Sequence, residues 1–355
     1  MTQRILISTA LAAGVALAGC APEPGAEQAG ADEPAAVALT YANGDPHPIT
    51  EWGDPDLRGT WPIQHLIGTP FQRPEEFATR AEYSEEEHQE RAARLEETRN
   101  ARYEEEQASN RIGMGHWAET TEAQRINSLL VDPPNGRFPE LTERGKELSA
   151  SMGSSWSTEA SDGVFESVAD FDTWDRCITR GLPPSMFPFN YNNGIRIHQA
   201  PGYVVIELEM IHESRVIPVD GREPLSSQIK QWMGESRERW EGSTLVIETT
   251  NFNGEGGMTN VGIPGSPRGD TPTTTDMKIT ERLTRVSDGQ IDYSMTVEDP
   301  EVLTQPWTAR YPMYLDNDYG FFEYACHEDN TAVRNFIETS RYERARAAEQ
   351  APGAN

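Results

Sequence analysis

The second half of the chain is a series of short segments in which apolar and polar residues alternate, and this series constrains the fold most. Turn signals such as Pro201-Gly202 and Asp288-Gly289 separate neighbouring segments. Alternation with a period of two is typical of half-buried β-strands, and sequential strands joined by tight turns favour an antiparallel meander. The segments are "GIRIHQA", "YVVIELEMIHE", "RVIPVD", "STLVIETTNF", "DMKITERLTRV", "QIDYSMTVED", "WTARYPMYL" and "FFEYAC".

So many strands hide their edges best by closing into a barrel or by folding into a sandwich. Two short motifs favour the barrel. The "GTW" at 59–61 resembles the Gly-x-Trp that opens lipocalin and fatty-acid-binding barrels, and "RWEGSTLVIETTNF" resembles their later strands. We therefore expect a mainly β fold, an antiparallel calycin/lipocalin-like barrel over 191–340. A helical and irregular extension over 45–190 precedes it and departs from the lipocalin pattern.

Two helices are predicted in this extension. From Glu75 to about Arg111 the sequence is charged nearly all round, with Glu and Arg at helical spacing, which favours one long solvated helix. A short helix is expected over 141–152, where Thr142 is a suitable N-cap.

The N-terminus indicates export. Arg4 precedes the run "ILISTALAAGVALAG", which is too short to span a bilayer, so 1–19 is interpreted as a signal peptide. The "LAGC" at 17–20 resembles the lipobox of bacterial lipoproteins. That resemblance implies cleavage before Cys20, a lipid on Cys20 and, because Ala21 is not Asp, an anchor in the outer membrane facing the periplasm. The alternative is a plain signal peptide with Cys20 present by chance.

Composition defines the ends of the chain and excludes some partners. The lipidated segment 20–44 is rich in Ala, Glu, Pro and Gly and predicts a disordered tether, and 341–355 predicts a disordered tail. The formal net charge of −28 disfavours nucleic acid and anionic membrane surfaces as partners. The oligomeric state is left open.

Two cysteines remain beside Cys20. In an oxidising compartment Cys177 and Cys326 favour one disulfide, which would close a loop of about 150 residues and stabilise the fold by roughly 4 kcal/mol. The alternative is a reactive thiol, although no catalytic-cysteine signature surrounds Cys177.

The run 203–213 carries a candidate catalytic residue. A continuous strand would place His212 on the apolar face and Glu213 on the opposite face, with Glu207 and Glu209. If that face lines a barrel interior, His212 projects into a pocket. The alternative is a core or rim histidine that a backbone carbonyl satisfies.

Further polar residues are predicted to share faces with apolar neighbours. The alternation places Glu281, Tyr293 and Asn251 inward, and Arg215 follows His212 closely enough to orient an anionic ligand. An apolar cavity with a few polar groups is typical of a small-molecule site. A packed core with buried hydrogen bonds gives the same pattern.

Metal and cofactor motifs are not found. The two His-Glu pairs, at 212–213 and at His327-Glu328, leave a metal site as the alternative. They are not at helical spacing and no HExxH motif occurs, so we expect no metal. No dinucleotide or Walker-type glycine motif occurs either, so we expect no cofactor.

Residues 125–335 resemble a group of secreted bacterial proteins that is abundant in acidobacteria and sphingomonads. The matching pieces are "SLLVDPPNGRFPELT", "RCITRGLPPSM", "MIHESRVIPVDGR", "WMGESRERWEGSTLVIETTNFN", "TERLTRV", "TVEDPEVLTQPWTA" and "EYACHEDN". The resemblance implies a cofactor-independent lyase or decarboxylase that acts on lignin-derived phenolic compounds.

Such a reaction needs a general base, a cation that holds the anion, and an apolar cavity. We expect His212 and His327 as bases, Glu328 as the group that orients His327, and Arg215 as the anion clamp. Asn251, Glu281 and Tyr293 complete the expected substrate site. The competing hypotheses are a lipoprotein that binds an apolar or aromatic molecule without chemistry, and a structural envelope protein.

Overall fold

The computed structural model describes residues 39–155, 164–258 and 271–350. The predicted signal peptide, Cys20 and most of the predicted tether lie outside the described residues. The α-helices of the described part are α1 (Glu85–Ser109), α2 (Met114–Trp117), α3 (Glu143–Ser149) and α4 (Ala332–Gln350). In this part of the chain, no helix combines the length and the apolar character that a membrane crossing needs.

The strands form two antiparallel sheets. The first sheet has the order β1-β3-β4-β5, and the second has the order β2-β10-β9-β8-β7-β6. From β3 onward each strand follows its predecessor along the chain, as predicted for a meander. The bounds are β1 (Gly59–Thr60), β2 (Leu130–Asp132), β3 (Ile195–Ala200), β4 (Tyr203–Leu208), β5 (Ser214–Pro218), β6 (Glu235–Glu241), β7 (Thr244–Thr250), β8 (Lys278–Ser287), β9 (Gln290–Glu298) and β10 (Trp307–Tyr314).

The backbone ladder is interrupted between β5 and β6. These two strands are consecutive, yet they belong to different sheets, and the described strands form no closed barrel. A single apolar core nevertheless contains side chains from both sheets, among them Ile206 and Ile217 from one and Leu245 and Ile279 from the other. The mainly β, antiparallel prediction is confirmed at this level.

Two strand assignments differ from the prediction. The segment 235–241 is strand β6, although its sequence "ESRERWE" is too polar to indicate a strand. The segment "FFEYAC" is not a strand, and Phe322 is 71% exposed. The disulfide at Cys326 holds this segment, and no sheet includes it. The alternation of apolar and polar residues does not reveal this difference.

The helices begin where a capping side chain is available. Helix α1 starts ten residues later than predicted because Ser84 is its N-cap: its hydroxyl accepts from the Glu87 amide at 3.2 Å, and the Glu87 carboxylate accepts from the Ser84 amide at 2.7 Å. Thr142 caps α3 as predicted, accepting from the Gly145 amide at 2.9 Å. Helix α4 extends to Gln350, so the predicted tail from 341 is helical through this residue.

Candidate functional site

The prediction that His212 lies on the inner face of a strand is wrong. Strand β4 ends at Leu208, and Met210–His212 form a short 3-10 turn with positive φ angles of 60° at Ile211 and 46° at His212. This left-handed backbone ends the alternation of period two, so His212 is exposed. Its Nδ1 donates to the carbonyl of Tyr324 at 2.9 Å, which leaves the lone pair of the neutral ring on Nε2.

Three of the predicted site residues lie together in the core: Arg215, Glu281 and Tyr293. The strand alternation predicted the inward positions of Glu281 and Tyr293. Arg215 Nη1 donates to Glu281 at 2.9 Å, Nη2 also pairs with Glu281, and the Tyr293 hydroxyl donates to Glu281 at 2.8 Å. Burial, followed by the charge of Glu281, raises the pKa of Tyr293 well above its usual range. Because Glu281 already neutralises Arg215, the guanidinium expected to clamp a substrate anion is bound to the protein's own carboxylate.

Asn251 does not join this group. Its backbone is left-handed, with φ at 58°, and its side-chain amide donates to Glu235 at 3.0 Å. Glu235 also accepts from the Leu225 amide at 2.9 Å and pairs with Arg237. Asn251 is buried as predicted, and these contacts fix the loop before β6.

The disulfide between Cys177 and Cys326 is present, with 5.6 Å between the two Cα atoms. It joins the segment after β10 to the loop that leads towards β3. His327 and Glu328 follow the bond and are both exposed. In the described part of the chain, no group of three or more His, Cys, Asp or Glu side chains is arranged to hold a metal ion.

Arg180, three residues after Cys177, is a site residue that the sequence reasoning missed. It is 5% exposed, and its guanidinium carbon lies 5.3 Å from the ring centroid of Trp174 and 5.5 Å from that of Phe189. Nη1 donates to the carbonyl of Phe187 at 3.0 Å, whereas Nε and Nη2 are buried without a hydrogen-bond partner. Burial lowers the pKa of Arg180 to about 10.

Glu213 lies near Arg180 and not among the solvent-facing acids where the sequence placed it. The turn at 210–212 breaks the strand periodicity, and Glu213 is half-buried, with its Oε2 buried and unpartnered. Burial raises the pKa of Glu213, while hydrogen bonds from Thr179 and from the Arg180 amide oppose this rise. Glu209, also expected to face solvent, is 1% exposed.

Arg180 lines a cavity of about 200 Å³ near the disulfide. A cavity of roughly 150 Å³ is large enough for benzene, so this one suits a single aromatic ring with a small substituent. Burial and the charge of Asp175 raise the pKa of Asp172, which accepts from the Ser154 hydroxyl at 2.8 Å. The other lining residues include Phe171, Trp174, Arg176 and Trp232.

This cavity gave no recognisable signal in the sequence. Arg180 lies in the non-periodic segment "RCITRGLPPSM", and only its contacts in the fold reveal that two of its guanidinium nitrogens are buried without a hydrogen-bond partner. His212 and Glu213 belong to a second segment of the group resemblance, and Tyr324 and Cys326 to a third. The turn at 210–212, the disulfide and the contact between His212 and Tyr324 bring these three segments together.

Comparison of the chain with protein-family models, with curated proteins and with solved structures finds no match.

Proposed function

We propose that the protein binds a small aromatic carboxylate in the cavity beside Arg180. The observation that carries the proposal is the unpaired state of this guanidinium. Arg180 and Arg215 are each 5% exposed, but Arg215 is neutralised by Glu281, whereas Arg180 forms no ion pair among the described residues. A buried charge without a partner is costly, and an anionic ligand would remove that cost.

The walls of the cavity favour an aromatic body for this anion. Phe171, Trp174 and Trp232 contribute rings to the lining. Aromatic rings pack favourably on one another, and an arginine beside them can bind a carboxylate through two parallel hydrogen bonds. The cavity volume limits the ligand to about one ring.

Titration calorimetry with 4-hydroxybenzoate tests this proposal, with phenol as the matched probe without a carboxylate. We expect 4-hydroxybenzoate to bind the wild type and Arg180→Gln to weaken binding by about 10- to 100-fold, since a hydrogen bond to a charged group contributes roughly 1.5–3 kcal/mol. The affinity of Arg180→Lys should lie between those of the wild type and Arg180→Gln, because lysine keeps the charge but lacks the planar guanidinium that forms two parallel hydrogen bonds.

Arg310→Gln is the matched control, because it removes an exposed guanidinium on β10 that does not line the cavity. It should bind like the wild type. Thermal unfolding monitored by circular dichroism identifies any variant that fails to fold. Equal affinity of folded Arg180→Gln and wild type would rule out Arg180 as the anion site.

The second candidate function is a cofactor-independent lyase that acts on the same class of phenolic anion. It is favoured by two half-buried carboxyl groups with raised pKa values near Arg180, those of Asp172 and Glu213. In an elimination, a base takes the phenolic proton and the electron pair moves through the ring. The bond to a benzylic leaving group then breaks, the leaving group departs with the electron pair and takes a proton, and a quinone methide remains.

In this chain His212 Nε2 is the candidate base, and Glu213 or Asp172 the candidate acid. The roles expected for His327 and Glu328 remain predictions. With a phenolic substrate whose turnover the wild type supports, His212→Ala and Glu213→Gln should each lower kcat by about 10²- to 10⁴-fold. Full turnover by both variants would exclude this mechanism and leave the binding function.

The finer fold and the location are part of the same proposal. The meander order is compatible with a calycin-like barrel whose backbone ladder is open both between β5 and β6 and between β1 and β2. The lipobox-like segment supports a lipid anchor on Cys20 in the outer membrane. Metabolic labelling with a palmitate analogue tests the anchor: label on the wild type but not on Cys20→Ser supports it, and an unlabelled wild type contradicts it.

A further inference from the structure

A second and larger cavity lies along α1 and meets the surroundings of Arg180 at Phe189. It is a cleft of about 740 Å³ between this helix and the segment 115–123. This volume is within the range of small-molecule sites, roughly 300–1,000 Å³. Ile67, Leu95 and Phe189 contribute apolar surface, and Glu119 lies on the wall opposite the helix.

Behind the cleft, one tyrosine connects Glu119 to a second carboxyl group. The Tyr319 hydroxyl lies 3.0 Å from Glu119 Oε1 and 2.8 Å from Glu209 Oε2. Glu209 also accepts from Asn192 Nδ2 at 3.0 Å and from the amides of Gly194 at 2.9 Å and Phe322 at 2.8 Å. Three N–H donors therefore already satisfy Glu209.

The single proton of Tyr319 cannot serve both carboxylates at once. When Tyr319 donates to Glu209, Glu119 must carry a proton and donate it to the tyrosine oxygen. When Tyr319 donates to Glu119, that carboxylate accepts three hydrogen bonds, the other two from Asn193 N at 3.2 Å and Nδ2 at 2.9 Å. Both protonation states of Glu119 are thus fully hydrogen-bonded.

The surroundings of Glu119 raise the pKa of its carboxyl group, although the hydrogen bonds from Asn193 and Tyr319 oppose the rise. Burial is the largest cause that raises the pKa of Glu119, and the charge of Glu209 adds to it. A cation beside Glu119 would shift it to the ionised state. The chain's net charge of −28 also attracts cations.

The other charged groups of the cleft differ in whether another group of the protein already binds them. His116 pairs with Glu106, and His88 Nε2 contacts the Ala123 carbonyl at 2.8 Å. Arg99 and Arg102 are exposed on α1, on the opposite wall, so they do not neutralise Glu119 from within the protein. The acids Glu96 and Glu122 lie at the exposed rim.

We propose that this cleft binds a small organic amine with an apolar body, whose ammonium group pairs with ionised Glu119. On binding, the O–H bond of Glu119 breaks and the proton passes to solvent, while Tyr319 turns its hydroxyl from Glu209 to Glu119. No covalent bond to the ligand forms. This site is independent of the proposed function, because it shares neither Arg180 nor the anionic ligand class.

Calorimetry with phenethylamine as the probe, at pH 5.5 and pH 8, tests the inference. The affinity should be higher at pH 8 than at pH 5.5, because burial raises the pKa of Glu119 and the cation binds only the ionised carboxylate. Titrations in two buffers of different ionisation enthalpy should show proton release at the lower pH. Phenylacetate, the matched anion, should not bind in the cleft, so any binding of it to the wild type should be lost in Arg180→Gln.

Three variants complete the test. Glu119→Gln should lose both the affinity and its pH dependence, whereas Glu122→Gln, which alters an exposed acid of the same cleft, should behave like the wild type. Tyr319→Phe removes a donor from ionised Glu119, so the midpoint of the pH dependence should move upward. No binding of phenethylamine to the wild type, or unchanged pH-dependent binding by Glu119→Gln, would overturn the inference.

Discussion

Arg215 and Glu281 form an ion pair in which each partner belongs to a different sheet. Arg215 lies on β5 of the four-stranded sheet, and Glu281 lies on β8 of the six-stranded sheet. The two sheets share an apolar core, but no backbone ladder joins β5 to β6. A charged side-chain contact therefore connects them where the backbone does not.

Removing one partner of this pair should be strongly destabilising. Glu281→Gln leaves the Arg215 charge buried without compensation, so the free energy of unfolding should fall by about 3–5 kcal/mol. Urea denaturation measures this change. Arg310→Gln is the control: it removes a pair with Asp292 in which Arg310 is 60% exposed, and it should cost less than about 1 kcal/mol.

A double variant separates the charge from the packing. Arg215→Leu combined with Glu281→Leu removes both charges, and it should recover part of the stability that Glu281→Gln loses. A double variant that is less stable than Glu281→Gln would show that the pair itself, and not the uncompensated charge, contributes most.

Loss of the disulfide should affect both stability and ligand binding. Cys177 and Cys326 are 149 positions apart, and Cys177→Ser with Cys326→Ser should lower the free energy of unfolding by about 2–5 kcal/mol. The same variant should weaken 4-hydroxybenzoate binding, because the bond fixes the loop that carries Arg180. Unchanged binding by the folded variant would show that the loop is fixed by its other contacts.

Glu238 on β6 should make stability fall as the pH rises. Burial, with a smaller contribution from the charge of Asp54, raises the pKa of Glu238 to about 7, and its buried Oε2 has no partner. In the unfolded chain the pKa returns to an ordinary value near 4.3. Between these two values the folded state binds more protons than the unfolded state, so stability decreases with pH across this window.

Thermal unfolding of Glu238→Gln tests whether the stability decreases with rising pH because of Glu238. At pH 4 the variant and the wild type should have similar melting temperatures, since both carry a neutral side chain. At pH 8 the variant should melt at the higher temperature. The opposite order at pH 8 would mean that an unrecognised cation stabilises ionised Glu238.

The cap of α1 should control the occupancy of the cleft. Ser84→Ala removes the hydroxyl that accepts from Glu87, which costs about 1 kcal/mol of helix stability. Because α1 forms one wall of the cleft, phenethylamine affinity should fall while 4-hydroxybenzoate affinity remains. Ser109→Ala, at the other end of the helix, is the matched control and should change neither affinity.

The sequence predicted the parts of the fold that depend on local periodicity. Glu281 and Tyr293 were expected inward because strands β8 and β9 are long and regular, and both are fully buried. The prediction for His212 was wrong because two residues with left-handed backbone end the alternating pattern. Apolar and polar alternation in a sequence does not reveal such residues. Glu213 was misplaced for the same reason.

The candidate sites depend on contacts between distant segments, which one sequence does not specify. Arg180 is indistinguishable from other arginines until the rings of Trp174 and Phe189 are found beside its guanidinium. Glu119 and Tyr319 are 200 positions apart and share one hydrogen bond. The disulfide was predictable because only two cysteines remained after Cys20.

Helix α1 has 25 residues and none of them is buried. Polar contacts such as His88 to the Ala123 carbonyl and Arg125 to Glu85 attach it to the rest of the protein, and water can replace such contacts at little cost. The helix can therefore move outward without exposing a core. One wall of the cleft is adjustable and the other is fixed by Glu119, so ligands of different lengths can share the same charged anchor.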